Sequence, residues 1–113
     1  MEKETRYDYD LDLDILHVYN SDVDNGIKGC LSYDNFNIDV GQDDKVVGVE
    51  IEGASEVLRL MPEVLADLDE INLIVKKNGN GLFIGVSVVK GEQKSMVQIT
   101  PSLQQETPIT ISN

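Results

Sequence analysis

The sequence predicts an α+β fold, in which hairpins build a mostly antiparallel β-sheet and one short or broken helix lies between two β-runs. Three observations predict it. Apolar and polar residues alternate along most of the chain, and turn residues separate the alternating segments. Helical spacing of apolar residues is found between residues 55 and 69. The 113 residues suffice for one hydrophobic core, so we expect a single domain over residues 1–113.

The N-terminal β-run is predicted to hold five strands. Their approximate ranges are 5–10, 15–20, 27–33, 36–41 and 45–52. The stretch GQDD, residues 41–44, separates the last two strands and has the composition of a hairpin turn. We therefore expect these two strands to pair directly.

The helical segment is predicted to break once. Ser55 is a favourable N-cap for its first half. Pro62 suits the first turn of a second helix, and it disfavours helical geometry in the residue before it. We therefore expect a kink or break at the Met61–Pro62 bond. The apolar residues expected to pack on the sheet are Val57, Leu58, Val64, Leu65 and Leu68.

The C-terminal β-run is predicted to be a meander over about residues 70–101. INLIVKK and LFIGVSVVK flank the sequence NGNG, whose asparagines and glycines supply the positive φ angles of a hairpin turn. A third strand, SMVQIT, follows the turn GEQK and stops at Pro101. The tail, residues 102–113, either adds an edge strand at PITIS or remains disordered, and its composition favours neither.

The chain is strongly acidic, and the acidity lies in its N-terminal half. It carries 9 basic and 21 acidic residues, a net charge of −12 at pH 7. Residues 1–55 hold 4 bases and 14 acids, a net −10, and residues 56–113 hold 5 bases and 7 acids, a net −2. Such a field repels phosphate backbones and anionic membranes. We therefore expect no nucleic-acid or membrane partner, and a basic protein as the partner.

The cysteine content and the first residues predict a cytoplasmic protein. A single cysteine, Cys30, cannot form an intramolecular disulfide, and the start MEKETRYD lacks the apolar core of a signal peptide. The longest mainly apolar runs are also far shorter than the roughly 20 residues needed to span a bilayer.

The stretch YDYDLDLDILHVY places an aspartate at every second position from residue 8 to residue 14. In one continuous strand Asp8, Asp10, Asp12 and Asp14 would share a face, where like charges repel. A tight turn over residues 11–14 avoids this, because turn aspartates bond to nearby backbone amides. We therefore expect strands on either side of an acidic turn.

This stretch, together with NIDVGQDDKVVGVEIEGASEVL, resembles a family of small prokaryotic acidic domains of unknown function. In that family a Tyr-Asp pair, an acidic turn and a Leu-Tyr-Ile-like strand precede a Val-Gly-Ile-Glu-Ile hairpin and an Ala-Ser helix start. The resemblance covers roughly residues 5–60. The matching residues are Tyr9, Asp10, Asp14, Leu16, Asp39, Val47, Gly48, Glu50, Ile51, Ala54 and Ser55.

Two positions depart from the family pattern. His17 stands where the family usually has tyrosine, and Asp44 stands where it usually has the turn glycine. Aspartate tolerates the left-handed conformation better than most residues, so we expect the turn to be kept. The family has no established activity; its acidity and occasional pairing with small toxin-like proteins imply a protein-binding role.

Calcium binding is the alternative, because hard cations take several oxygen ligands from closely spaced carboxylates. EF-hand loops begun at Asp8 or Asp22 place apolar or aromatic residues at the positions reserved for glycine and glutamate, so both fail. A non-standard calcium site would combine Asp10, Asp12 and Asp14 with Asp22, Asp24 or the turn at residues 43–44.

Two pairs of residues raise the question of catalysis. Asp39 and Glu50 would suit general acid and base roles, but a hairpin centred within GQDD places Asp39 opposite Val46 and away from Glu50. His17 and Cys30 would face each other only if their strands formed a hairpin in one particular register. An inert cysteine and an ordinary strand histidine are the commoner case.

These observations together predict a non-enzymatic, acidic protein-interaction module of the cytoplasm that needs no cofactor. A calcium-binding protein is the alternative. Unpaired strand edges would also allow the chain to form a homodimer.

Overall fold

The computed structural model describes residues 4–79, 81–101 and 111, and their strands form two antiparallel sheets. The first sheet contains β1 (Thr5–Asp10), β2 (Ile15–Asn20), β3 (Ile27–Tyr33), β4 (Phe36–Gly41) and β5 (Val46–Glu52). Two short helices follow, α1 (Ala54–Leu58) and α2 (Pro62–Leu65). The second sheet contains β6 (Glu70–Asn78), β7 (Gly81–Lys90) and β8 (Gln93–Ile99).

The strand order of the first sheet is β1-β2-β5-β4-β3, so β5 lies between the two N-terminal hairpins. The chain leaves β2 through a 3₁₀ helix, Ser21–Asn25, which Asn20 caps by accepting a hydrogen bond from the Asp22 amide. Among the described strands, β3 then occupies the edge opposite β1 and pairs only with β4. The predicted strands are confirmed. Asp44 has a φ of 64°, so this turn aspartate adopts the left-handed conformation, as expected.

The second sheet is the predicted meander, in the order β6-β7-β8. Its hairpins close where the turn sequences indicated, with Asn78 opposite Gly81 and Lys90 opposite Gln93. The predicted edge strand PITIS falls on residues 108–112, which lie outside the described part of the chain except for Ile111. Ile111 is buried in the hydrophobic core.

The helical segment is shorter than predicted. It breaks at the expected bond, because Met61 is extended and Pro62 opens α2. The two helices span five and four residues, so the protein is mostly antiparallel β-sheet and the α+β class describes it only loosely. The prediction that Ser55 caps α1 is wrong: Gly53 occupies the N-cap position, and Ser55 is the second residue of the helix.

The hydrophobic core draws side chains from both sheets and both helices. The first sheet contributes mainly valine and isoleucine from β2, β4 and β5, and the second contributes alternate residues of β7. Leu58 and Leu65 are buried as predicted, and Val57 and Leu68 pack at the margin of the core. Within the described residues, no helix has the length and apolar character required to cross a membrane.

Candidate functional site

The candidate site is the outer face of the first sheet, formed by the side chains that point away from the core. Residues directly opposite each other in antiparallel strands share a face. The strand register therefore aligns this outer face into two rows that cross all five strands. The first row is Asp8, His17, Glu50, Asn37 and Ser32, and the second is Arg6, Tyr19, Gly48, Asp39 and Cys30.

A buried carboxylate lies near the centre of this face. Asp39 is only 6% exposed, and its Oδ2 lies 2.8 Å from His17 Nε2. Its other oxygen, Oδ1, accepts a hydrogen bond from the Cys30 thiol at 3.2 Å. Gly48 makes this arrangement fit, because a Cβ at residue 48 would lie 2.9 Å from Asp39 Oδ2. The absent side chain lets Asp39 on β4 reach across β5 to His17 on β2.

The surroundings of His17 favour its protonated form. The hydrogen bond to Asp39 raises the pKa of His17; partial burial opposes this, and the charges of Asp39, Glu50 and Asp8 reinforce it. Partial burial and the Asp39 carboxylate raise the pKa of Cys30, so its thiol stays protonated and donates.

His17 and Cys30 do not face each other in a hairpin, so the register that a cysteine-histidine pair would need is not formed. β2 pairs with β1 and β5, whereas β3 pairs with β4, so the two residues lie on strands that are not neighbours. Asp39 joins them instead, with the carboxylate in the middle. A nucleophilic cysteine requires a neighbour that lowers the pKa of its thiol. Partial burial and the Asp39 carboxylate instead raise the pKa of Cys30.

The predicted register of the β4–β5 hairpin is also wrong, although Asp39 and Glu50 do not face each other, as expected. Asp39 lies opposite Gly48, while Val40 lies opposite Val46. The turn already offsets the pairing by one residue from the prediction, since Val46 lies opposite Val40, and an irregularity between Asp39 and Val40 offsets it by one more.

Tyr19 links the two rows, and no pattern in the sequence singles it out. Its hydroxyl donates to Asp8 at 2.9 Å, and its ring lies 4.9 Å from the His17 ring, centroid to centroid. The Arg6 guanidinium lies 5.4 Å from the tyrosine ring centroid and pairs with Asp24. Gly48 was noted only for the family resemblance, and its role beside Asp39 was missed; a glycine within a valine-rich strand is the signal that could have identified it.

The β1–β2 turn holds the aspartates that the calcium hypothesis selected. The Asp10 carboxylate accepts hydrogen bonds from the amides of Asp12 and Leu13, each at 3.0 Å, as predicted for a turn aspartate. The Asp14 carboxylate turns toward α1 instead. It accepts from the Ser55 amide at 3.0 Å and from the hydroxyls of Ser55 and Tyr9, both at 2.6 Å.

Asp10 and Asp14 therefore bind different parts of the protein. Among residues 4–79, 81–101 and 111, no three His, Cys, Asp or Glu side chains are grouped so that they could hold a metal ion. Calcium binding by Asp10, Asp12 and Asp14 stays the alternative hypothesis, and it would require the Asp10 and Asp14 carboxylates to exchange their present donors for the ion.

We expect Ca²⁺ to raise the thermal midpoint of unfolding no more than NaCl of equal ionic strength does. The physical reason is that the carboxylates of Asp10 and Asp14 already accept hydrogen bonds from backbone amides in the folded protein. Thermal melts in EDTA, CaCl₂ and matched NaCl test this. A calcium-specific increase is the contrary result, since a ligand at about 100 times its Kd adds about 2.7 kcal/mol. Asp12→Asn should then remove it.

No family model, curated protein or solved structure matches this chain. The resemblance to the small prokaryotic acidic domains stays a prediction.

Proposed function

We propose that the protein is a non-enzymatic interaction module whose acidic outer face, on the first sheet, binds a basic segment of another protein. The observation that carries this proposal is the placement of four carboxylates. Asp8 and Glu50 lie in the first row, on β1 and β5, and Asp10 and Glu52 lie in a neighbouring row on the same two strands, with Ile15 of β2 between them.

The spacing of these carboxylates suits an extended basic chain. Strands in a sheet are about 4.8 Å apart and alternate residues of one strand about 6.8 Å, so the four groups mark a rectangle of about 10 by 7 Å. Lysine or arginine side chains from one extended segment could reach two or more of them. Besides His17, Arg6 is the basic side chain in the two rows. It pairs with Asp24, so it does not neutralise the four carboxylates, and the face keeps its negative potential.

The thiol chemistry supports a binding role over a catalytic one. Cys30 donates to a carboxylate and its pKa is raised, which keeps it in the less reactive thiol form. A single cysteine held as a thiol also fits a reducing compartment, and we propose the cytoplasm.

Removing two of the four carboxylates should weaken binding of a basic peptide. The probe is a fluorescent peptide of alternating lysine and serine, and the variant is Asp8→Asn with Glu50→Gln. We expect the Kd to rise about 3- to 10-fold, because exposed ion pairs contribute about 0.2–1 kcal/mol each. Fluorescence anisotropy at low and physiological ionic strength measures it.

A matched variant removes the same charge elsewhere. Glu63 on α2 and Glu92 in the β7–β8 turn do not belong to the strands of the first sheet, and E63Q with E92Q also lowers the negative charge by two. This control should change the Kd less than twofold. Equal weakening by the two double variants would show that only net charge matters, and the proposed binding face would then be rejected.

A further inference from the structure

The second sheet has an outer face of different character. Ile74 and Met96, which point away from the core, are 38% and 49% exposed. Met96 and the half-buried Phe83 cover Gly85, since a Cβ at that glycine would lie 3.3 Å from Met96 Cε and 3.4 Å from the phenyl ring. These side chains form an apolar centre on an otherwise polar sheet face.

The charge of this sheet differs in sign from that of the first. Residues 70–99 contain four lysines and two glutamates, a net +2. Residues 5–52 contain three bases and twelve acids, a net −9. Two copies of a chain with a net charge of −12 repel each other most where their first sheets meet. The second sheet is therefore where they can approach closely.

We propose that a second copy of this chain covers the outer face of the second sheet, forming a twofold symmetric dimer. The charges at the rim of the face complement themselves under that symmetry. Glu70 on β6 and Lys94 on β8 lie in one row, both opposite Val89. Lys76 lies near the other end of β6, six residues from Glu70.

Both ways of stacking this face on itself bring opposite charges together. A twofold axis along the strands places Glu70 of one copy over Lys94 of the other. An axis across the strands places Glu70 over Lys76 of the other copy. Either arrangement buries Ile74 and Met96 at the centre and removes apolar surface from water. An unrelated acidic protein would match the lysines but would leave Glu70 facing a like charge.

This dimer uses a sheet face, unlike the edge pairing expected from the sequence, and it does not depend on the proposed function. The acidic outer face of each first sheet remains open. A dimer would therefore present two acidic faces, and a partner with two basic segments would gain avidity from binding both.

The test is the concentration-dependent mass of the full chain, measured by sedimentation equilibrium from low micromolar to several hundred micromolar. We expect twice the 12.5 kDa chain mass at the upper end. Met96→Lys should raise the dimer Kd at least tenfold. Met61→Lys makes the same change at a residue that is 67% exposed in the α1–α2 connection, and it should leave the Kd unchanged. Circular dichroism verifies that both variants fold.

A charge exchange tests the proposal without changing the apolar centre. Glu70→Lys should weaken the dimer, and adding either Lys94→Glu or Lys76→Glu should restore it, according to the direction of the axis. A wild-type chain that stays monomeric throughout overturns the proposal. The proposal is also overturned if M96K and M61K dimerise equally, or if neither charge exchange restores the dimer affinity that E70K loses.

Discussion

Asp14→Ala is expected to lower the free energy of unfolding by about 3 kcal/mol, the largest effect of any single change near the site. The substitution removes the acceptor for the Ser55 amide, the Ser55 hydroxyl and the Tyr9 hydroxyl. Hydrogen bonds to a charged group contribute about 1.5–3 kcal/mol each, and helix caps about 1 kcal/mol. Asp14 also has a φ of 55°, which alanine tolerates poorly.

Two further variants separate these contributions. Asp14→Asn keeps an acceptor and a side chain suited to positive φ, so it should cost less than Asp14→Ala. Tyr9→Phe removes one donor and should cost about 1 kcal/mol. Urea denaturation measures all three. If Asp14→Ala unfolds at the wild-type midpoint, the contact between the β1–β2 turn and α1 does not stabilise the fold.

The contribution of Asp14 should depend on pH. Burial acts to raise the pKa of this carboxyl, but hydrogen bonds from Ser55 and Tyr9 outweigh burial and hold it below its ordinary value of 3.8. The stabilisation is therefore complete above about pH 5 and is lost as the pH falls through the lowered pKa. The difference in stability between wild type and Asp14→Ala should shrink in acid.

Gly48→Ala is expected to lower the free energy of unfolding by about 2 kcal/mol, within the range for overpacking a buried position. The new Cβ would lie 2.9 Å from Asp39 Oδ2 and 3.1 Å from the carbonyl oxygen of Val18. The Val18 backbone is held in the sheet and cannot shift easily, so the Asp39 carboxylate must move. We therefore expect the hydrogen bond between Asp39 and His17 to lengthen or break.

The pKa of His17 reports this displacement. In the wild type the hydrogen bond to Asp39 raises it above 6.5, so the resulting stabilisation is present below that pH and is lost as the pH rises through the raised pKa. In Gly48→Ala the pKa should fall toward its ordinary value. His17 is the single histidine of the chain, so its ring protons can be followed by NMR titration without further assignment.

Asp39→Asn provides the comparison for Gly48→Ala. It should also lower the pKa of His17, because the carboxylate charge is lost, but it adds no atom beside residue 48. A Gly48→Ala protein whose pKa for His17 and thermal midpoint both match the wild type would contradict the assigned role of the glycine.

The local features of the fold could be predicted because nearby residues determine them. Asn and Gly between alternating segments located the β6–β7 turn, and Pro62 located the break between the helices. The cap of α1 could not be found in this way. Its acceptor, Asp14, lies 41 residues before Ser55, so no pattern around the helix start reveals it.

The site shows the same division. The acidity of the N-terminal half was evident from composition. The sequence could not show that Asp39 lies between His17 and Cys30. That contact depends on β5 entering between two hairpins and on one irregularity in the β4–β5 pairing.

The sequence by itself thus determined the strands, the turns, the helix break and the acidic character, since each follows from the preferences of neighbouring residues. The tertiary structure alone decided the strand order, the register across β4 and β5, and the partners of Asp14 and Asp39. These features depend on which distant segments bury their apolar faces together, and a period of two residues is the same whichever strand lies alongside.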